Sequence, residues 1–423
     1  MSFNEWKEYN LDELCLEITD GSHSSPKTVE QGYSMASVKD MEYSKINLET
    51  CRKISKEDYE KLVKGKCKPE INDVLIAKDG SYLKYVNVVK EDIDLVLLSS
   101  IAILRPDIRK IDPDFFKYYL VNPIISQKLE QGYVSGSVIR RIVLKDFKKF
   151  KIRIPDIIVQ KRIARILLDL DKKIEINNKI NKKLEEMAQA IFKQWFVDFE
   201  FPNEDGKPYK SSGGEMVESE LGMIPKGWET KKMEEVCVRI NSGGTPSRKK
   251  EEYYGGDIPW LKTKELLDNF IFNSEEYITE KGLKESSAKV FPRNTVLMAI
   301  YASPTVGKLG IASSDVTFNQ AMCGMVTNEN MLCYEYLYLF LLKERINLNN
   351  LASGSAQQNL SVTTIKNYTI LVPNIELIKQ FKNVISNAFI KIENNSLENI
   401  RLSNIRDSIL PKLMSGEIRV PMD

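Results

Sequence analysis

Histidine and the usual metal-binding patterns are nearly absent from this sequence of 423 residues. It has one histidine, His23, and six cysteines without a Cys-X-X-Cys pair, so a zinc site of ordinary spacing cannot form locally. Any catalytic triad would also depend on that one histidine. We therefore predict a loop or packing role for His23, reduced and mostly buried cysteines, and no metal site.

Long apolar runs and a strong net charge are also missing. The longest apolar stretches, such as 296–302, fall far short of the roughly 18 residues that cross a bilayer, and the first ten residues carry no apolar signal segment. Lysine and arginine total 61 against 59 acidic residues, a formal charge of only +2, so a polyanion could be attracted only by a local basic face. These features predict a cytoplasmic protein without a membrane partner.

Motifs for nucleotide binding and base methylation do not occur either. Neither G-x-x-x-x-G-K-[ST] nor G-x-G-x-x-G is present, and no Asn or Asp precedes two prolines and an aromatic residue. A nuclease-like arrangement exists in Pro155-Asp156 and Asp171-Lys172-Lys173, but the helical pattern around Asp171 favours a solvated helix flank. The sequence therefore predicts a chain without a catalytic site of its own.

The sequence does contain an internal repeat. Residues 6–21 align without a gap on residues 228–243 at an offset of 222, and the buried-strand pattern of 73–77 recurs at 295–299 with the same offset. From Ser135 onward the offset is 218 and holds for about sixty residues. The chain is therefore two copies of one unit.

Each copy ends in a long amphipathic helix whose apolar positions are spaced alternately by four and three, the seam of a heptad repeat. The first seam consists of Ile163, Leu167, Leu170, Ile174, Asn177, Asn181, Leu184, Ala188, Ile191 and Trp195. The second consists of Phe381, Ile385, Ala388, Ile392, Asn395, Asn399, Leu402, Arg406, Ile409 and Leu413. Only Arg406 departs from the pattern, and we expect the neighbouring Ile405 to fill its place.

These helices decide the predicted architecture. A helix of about forty residues is roughly 60 Å long and extends beyond a 150-residue domain, so its apolar stripe needs the matching helix as a partner. We predict an α+β fold with pseudo-two-fold symmetry, in which two globular domains from an internal duplication are separated by two long antiparallel, coiled-coil-like helices. The predicted segments are a first globular domain over 1–155, a helix over 156–200, a linker over 201–226, a second globular domain over 227–373 and a helix over 374–416.

Four asparagines in the seam give the predicted pairing its register. An antiparallel arrangement matches Asn177 with Asn399 and Asn181 with Asn395, whereas a parallel one matches Asn177 with Asn395. Polar seam residues reduce stability but fix register, and this is the role we expect. The alternative is that the asparagines face solvent where the helices splay.

Cationic and amide side chains beside turn-rich loops favour nucleic-acid binding. Residues 140–153 hold seven basic residues against one acid, and 247–250 is a basic run in a Gly/Pro loop. Each run could instead be a solvated face. After a shared Ser-Gly-Ser, the first copy has Arg140-Arg141, which suits guanine, and the second has Gln357-Gln358-Asn359, which suits adenine or simply fills a polar turn. The candidate DNA contacts are Lys27, Lys78, Ser81, Tyr82, Lys84, Arg140, Arg141, Arg248, Lys249, Lys250, Lys262, Tyr301, Lys308, Gln357 and Gln358.

At this point the sequence resembles the specificity (S) subunits of Type I restriction-modification systems, over nearly its whole length. The passages typical of that family are 242–247, 258–260, 220–228, 191–199 and 409–418. The first copy has Asp20-Gly21-Ser22-His23 in place of the Ser-Gly-Gly-Thr-Pro pattern and lacks Ile-Pro-Trp. The two domains are therefore expected to read different half-sites.

The resemblance implies two target-recognition domains that each read one half of a bipartite asymmetric target in double-stranded DNA. It implies that the helices set the spacing and dock two modification (methyltransferase) subunits, which carry S-adenosylmethionine and methylate adenine. It also implies two restriction subunits that use ATP and Mg. None of these cofactors or activities would belong to this chain, which is expected to be non-catalytic.

Two other functions stay open at the level of sequence. The first is a self-contained DNA nuclease or methyltransferase with an unrecognised site, which activity without added subunits would favour. The second is a structural dimeriser whose globular domains bind protein. A steep fall of DNA affinity with salt would argue against the second function.

Overall fold

The computed structural model describes residues 6–43, 45–79, 85–132, 134–135, 141–301, 305–352 and 359–421. The chain divides into two compact units, the first comprising Met1–Ile174 with Ile400–Asp423 and the second comprising Glu175–Asn399. Each unit contains one globular repeat together with parts of both long helices.

The first unit is built around a four-stranded sheet in the order β2-β8-β5-β6, with all neighbours antiparallel, and a three-stranded sheet in the order β4-β3-β7. Its strands are β1 (Lys7–Asn10), β2 (Cys15–Asp20), β3 (Tyr33–Ala36), β4 (Arg52–Ile54), β5 (Val74–Ala77), β6 (Val86–Val88), β7 (Leu95–Leu97), β8 (Ile101–Pro106), β9 (Val134–Ser135), β10 (Arg141–Ile142) and β11 (Lys151–Ile154). Its helices are α1 (Leu11–Leu14), α2 (Lys56–Lys64), α3 (Pro113–Val121), α4 (Pro123–Gly132), α5 (Leu144–Phe147) and the first part of α6 (Ile157–Phe196).

The second unit repeats this plan with a five-stranded sheet, β15-β22-β19-β20-β17, and a three-stranded sheet, β18-β16-β21. Its strands are β12 (Met216–Ser219), β13 (Gly222–Pro225), β14 (Glu229–Lys232), β15 (Cys237–Ser242), β16 (Tyr254–Leu261), β17 (Asn269–Ile271), β18 (Tyr277–Ile278), β19 (Val296–Ala299), β20 (Leu309–Ala312), β21 (Thr317–Phe318), β22 (Met322–Thr327) and β23 (Thr369–Val372). Its helices are α7 (Met233–Val236), α8 (Glu280–Lys284), α9 (Tyr334–Asn350), α10 (Val362–Lys366) and most of α11 (Ile375–Ser415).

The repeated strand seen in the sequence lies inside the main sheet of each unit. Every residue of β5 and β19 is buried, as expected for short, continuous apolar runs covered on both faces. Strand β5 pairs with β8 and β6, and strand β19 pairs with β22 and β20, so the two sheets share the order of their first four strands. Strand β17 extends only the second sheet.

The long helices are antiparallel in both units, as predicted. In the first unit, Ile163 and Leu167 of α6 share a core with Leu410 and Leu413 of α11. In the second unit, the later part of α6 packs on the earlier part of α11, and the ring centroids of Trp195 and Phe381 lie 5.8 Å apart. The seam residues thus bury the apolar stripe that each helix would otherwise expose to water.

The segment that joins the two copies packs against the second unit. Strands β12 and β13 form an antiparallel hairpin, and Phe201 and Ile224 are buried in the core of this unit. The ring of Phe201 stacks on Trp228 with centroids 5.1 Å apart. The segment is therefore folded onto the second unit through its apolar residues.

Burial explains the state of the cysteines. All six are free thiols, and all but the half-buried Cys15 are buried. Burial raises the pKa of Cys237 to about 12, so this thiol stays protonated near neutral pH. In the part of the chain that the structure describes, no helix is long and apolar enough to cross a membrane.

Candidate nucleic-acid interface

A glycine turn ends the first strand of the main sheet in each copy. The backbone N–H of Gly21, after β2, donates to the carbonyl oxygen of Ile101, and that of Gly243, after β15, donates to Met322. A Cβ atom on Gly21 would overlap the carbonyl oxygen of Leu97, and one on Gly243 would overlap an equivalent carbonyl. Only glycine therefore lets the following loop pass this close to the sheet.

A second backbone connection recurs at the same edge of both units. Asp79 forms an antiparallel bridge with Arg141, and Tyr301 forms the equivalent bridge with Asn359. The two units thus present side chains from the same backbone positions, although these side chains differ. We call the edge formed by Asp20, His23, Lys78, Asp79 and Arg141 the first polar edge, and the edge formed by Thr245, Tyr301, Gln320 and Asn359 the second polar edge.

Ion pairs dominate the first polar edge. Lys78, which is only 5% exposed, contacts the carboxylate of Asp20, and Nε2 of His23 lies 3.2 Å from the same group. Arg141 donates from Nε and Nη2 to both carboxylate oxygens of Asp79, at 2.8 and 3.1 Å. Each cation is therefore matched by a carboxylate, and the predicted contact Lys78 lies beneath the surface rather than on it.

None of the four described residues that define the second polar edge is charged. The hydroxyl of Thr245 hydrogen-bonds to the Gln320 amide oxygen, and Tyr301 is exposed. Asn359 bridges to Tyr301 through the backbone. The same edge therefore offers ionic groups in one unit and neutral donors and acceptors in the other.

The second unit also holds a cluster of aromatic and charged side chains beside its glycine turn. The guanidinium of Arg248 lies 4.3 Å from the ring centroid of Tyr254 and 4.9 Å from that of Trp260, and Nη1 lies 2.6 Å from Oε2 of Glu276. Glu276 also contacts Lys262. We call these five residues the arginine cradle.

Two hydrogen bonds attach the aromatic residues of the cradle to the loop. Trp260 donates from Nε1 to the carbonyl oxygen of Gly244 at 2.9 Å, and the Tyr254 hydroxyl donates to that of Pro246 at 2.6 Å. Burial alone would raise the pKa of Glu276, but hydrogen bonds from Lys262 and Arg248 lower it below its usual value. The carboxylate is thus charged and holds both cations.

The remaining predicted DNA contacts occupy less defined positions. Lys27 and Lys249 are exposed and Lys308 is half-buried, and none of the three has an ion-pair partner among the described residues. Lys250 lies 2.6 Å from the Tyr253 hydroxyl and 3.5 Å from Glu285. Outside the described residues lie Ser81, Tyr82, Lys84, Arg140, Gln357 and Gln358.

Both asparagine pairs expected for antiparallel helices are present. Asn177 donates to the amide oxygen of Asn399 at 2.9 Å, and Asn395 donates to that of Asn181 at 2.8 Å. Asn177, Asn181 and Asn395 are buried, so these three do not face solvent. Their effect on helix register remains a prediction.

The expected replacement of Arg406 by Ile405 in the seam is wrong. Arg406 is 9% exposed whereas Ile405 is 48% exposed. Arg406 donates to Asp171 at 2.7 Å, and the Tyr118 hydroxyl donates to the other oxygen of that carboxylate at 2.6 Å. Only 12% of the Asp171 side chain is exposed, so this residue beside the seam is largely shielded from water and its carboxylate is satisfied by a guanidinium and a hydroxyl.

The nuclease-like carboxylates serve other purposes. Asp156 accepts hydrogen bonds from the backbone N–H groups of Ile158 and Val159 at the start of α6. Asp171 lies about 22 Å further along the same helix, too far away to share a metal ion with Asp156. Within the described ranges, no group of three or more His, Cys, Asp or Glu residues could hold a metal ion.

The acidic partners of the predicted cations could not be identified from the sequence. Asp20 lies 58 positions from Lys78, and Asp79 lies 62 positions from Arg141. Glu276 is likewise distant in sequence from Arg248. No local pattern could indicate these pairs, because sheet pairing brings their partners together.

The globular units, the glycine turns and the long helices define a known class of protein. Residues 4–186 and 225–402 match the sequence profile of the type I restriction modification DNA specificity domain. The chain belongs to this family and contains the domain twice. Its role is DNA sequence specificity in a type I restriction-modification system.

Individual relatives agree with this assignment. The chain is similar to the type I restriction enzyme HindI specificity subunit of Haemophilus influenzae, with 28% identity over 395 residues that cover 80% of this chain and 84% of the relative. It is also 27% identical over 312 residues to the MjaIX specificity subunit of Methanocaldococcus jannaschii, covering 72% and 69% of the two chains. The fold is similar to the crystal structure of a type I S subunit from M. genitalium, with a TM-score of 0.58, 15% identity and coverage of 99% and 97%.

Proposed function

We propose that each globular domain reads one half of a bipartite asymmetric DNA target through its polar edge. The long helices set the spacing between the half-sites and dock the modification subunits. The observation that carries this proposal is the repeated backbone bridge, Asp79 to Arg141 in one unit and Tyr301 to Asn359 in the other. The same scaffold presents a different set of side chains in each unit.

Different side chains favour different half-sites. Base pairs are distinguished in the major groove by their arrangement of donors, acceptors and the thymine methyl group. The first polar edge offers ion-paired groups, and the second offers a phenol and neutral amides. Two such surfaces match different base patterns, so the complete target is expected to be asymmetric.

The charge of the chain supports a need for partners. Its formal charge is +2, and Lys78 and Arg141 are each matched by a carboxylate, so non-specific attraction to DNA is weak. The chain is non-catalytic and binds no cofactor in this proposal. Two modification subunits supply S-adenosylmethionine and methylate adenine, two restriction subunits use ATP and Mg, and the complex acts in the cytoplasm.

This proposal predicts weak DNA binding by the chain alone and tight, specific binding by its complex with the modification subunits. The test titrates both against a duplex carrying the motif methylated in the source genome and against a scrambled duplex. We expect the complex to prefer the motif by roughly 10³-fold or more, and the isolated chain to show little preference.

Salt gives the internal control for this titration. Non-specific affinity depends on phosphate contacts and falls steeply as salt increases, whereas the preference for the motif depends on base contacts and is retained. Equal affinity of the complete complex for both duplexes would contradict the proposal.

A further inference from the structure

Arg248 lies on a loop at the surface, yet its guanidinium is fixed from several sides. Its side chain is 52% exposed, with Tyr254 and Trp260 against the guanidinium and Glu276 at Nη1. The loop is itself attached to these aromatic residues by the bonds from Trp260 to Gly244 and from Tyr254 to Pro246. An exposed arginine side chain normally samples many conformations, and ordering it costs conformational entropy. The contacts of the cradle restrict these conformations in advance, so the guanidinium is presented in one defined orientation.

The cradle leaves part of the guanidinium available. Nη1 is directed at Glu276, whereas no residue in the described part of the chain accepts a hydrogen bond from Nε or Nη2 of Arg248. These two N–H groups are parallel donors in one plane. Such a pair matches either the O6 and N7 acceptors of guanine or two oxygens of a phosphate.

The charges around the cradle favour guanine over phosphate. Glu276 is ionised and in contact with both Arg248 and Lys262. Glu276 offsets part of the positive charge of these two cations, which weakens the attraction of the free side of Arg248 to a phosphate more than its hydrogen bonds to the neutral edge of a guanine. Nearby Lys250 and Lys264 are also matched by Glu285 and Glu275, which reduces attraction to phosphate, whereas the exposed Lys249 has no ion-pair partner among the described residues.

We propose that Arg248 reads a guanine in the half-site of the second domain and that Glu276 is the positioning residue that orients it. The inference rests on the proposed function, because it assumes that this domain reads DNA. It adds one base type and one residue pair that the family assignment does not provide.

The described residues of the first unit do not form an equivalent reader. In the second unit, Glu276 lies opposite Trp260. The corresponding strand of the first unit has Met35 in place of Trp260, and the residue opposite Met35 is Arg52. Its Nη1 donates to the carbonyl oxygen of Pro26 at 3.1 Å, its Nη2 contacts the sulfur of Met35, and its Nε is buried. Arg52 thus lacks a free pair of donors, and the proposal applies to the second half-site alone.

The experiment uses the complete complex with its modification subunits and variants of this chain. Wild type, Arg248→Lys, Arg248→Ala and Glu276→Gln are compared by mapping the methylated motif. Binding is then measured to the target duplex and to duplexes in which each guanine of the second half-site is replaced in turn by adenine. Lys284→Ala is the matched control, since Lys284 is an exposed cation on α8 outside the cradle.

We expect both Arg248 variants to lose discrimination at one guanine position by roughly 10- to 100-fold, with the first half-site unchanged. Lysine should fail because it cannot form the planar pair of donors. Glu276→Gln should reduce discrimination at the same position without weakening binding to scrambled DNA, since it removes a negative charge. A purely structural role of Glu276 would not produce an effect confined to that position. Lys284→Ala should retain the wild-type motif and affinity.

Three results would overturn the inference. The first is a wild-type motif in which the half-site read by the second domain contains no guanine on either strand. The second is an Arg248→Ala complex that loses affinity equally for all duplexes with an unchanged motif, the behaviour of a phosphate contact. The third is an effect of Arg248→Lys on the first half-site. Failure of the proposed function is distinct, because the wild-type complex would then not discriminate between target and scrambled DNA.

Discussion

Arg406→Ala is expected to lower the free energy of unfolding by about 3 kcal/mol, near the lower end of the values found when one partner of a buried ion pair is removed. Asp171 would keep its hydrogen bond from Tyr118, and Lys117 would remain 3.9 Å away. These groups compensate only part of the lost charge. The carboxylate of Asp171, largely shielded from water, would therefore destabilise the first unit.

The second copy of the repeat supplies the matched variant. At the offset of 218, the positions equivalent to Asp171 and Arg406 hold Phe389 and Ala188, which are both buried in the second unit. The double variant Asp171→Phe with Arg406→Ala therefore replaces an ion pair by an apolar pair already used in the same fold. Such replacements are often neutral or stabilising, so most of the lost stability should return.

Calorimetric unfolding of the wild type, both single variants and the double variant gives the coupling energy of the pair. We expect the double variant to be clearly more stable than Arg406→Ala. If the double variant were no more stable than Arg406→Ala, loss of the ion pair would not explain the lower free energy of unfolding of that single variant. An exposed substitution on the same helix, Ile405→Ala, should change stability little.

Asn395→Leu alone is expected to destabilise the helix pair by about 1–3 kcal/mol, because it leaves the amide oxygen of the buried Asn181 without its hydrogen-bond donor. Asn181 accepts from Asn395 at 2.8 Å and donates to Ser396 at 3.1 Å. The double variant Asn181→Leu with Asn395→Leu should stay folded and recover stability, since both members of this asparagine pair are removed. Denaturant unfolding of the three proteins tests this order.

Register is the property that the double leucine variant should lose. Polar seam pairs exclude shifted pairings, whereas leucines accept several. Cysteines introduced by Asn177→Cys and Asn399→Cys should cross-link far faster than those introduced by Asn177→Cys and Asn395→Cys. The difference between the two cross-linking rates should be smaller when leucine replaces the asparagines of the other seam pair. A faster reaction of the second cysteine pair in the otherwise unchanged chain would refute the antiparallel register.

Periodicity and the internal repeat were sufficient to predict the long helices and their antiparallel pairing. The asparagine matches follow from the duplication and the antiparallel arrangement together, and the structure places Asn177 beside Asn399. The same periodicity gave a wrong prediction for Arg406, because a hydrophobic repeat predicts that an apolar residue, here Ile405, takes the seam position. The compensating carboxylate of Asp171 lies 235 positions away in the sequence, where no local rule connects it with Arg406.

The candidate interface was predictable only in part. Cationic runs and turn-rich loops indicated Arg248 and Arg141, because these are local features of composition. Their partners Glu276 and Asp79 come from other strands and depend on sheet register. Lys78 was a candidate DNA contact because a lysine at the end of a strand is usually exposed. In the structure its side chain is instead buried against Asp20.

The most direct test of the central claim, that each copy of the repeat reads its own half-site, is methylation mapping after a domain exchange. Residues 1–150 are replaced by the corresponding segment of a relative that methylates a different motif, and the chimaera is assembled with the same modification subunits. The account predicts that one half of the methylated motif changes to that of the relative, while the other half and the spacing stay the same. A motif altered in both halves, or unaltered in both, would contradict it.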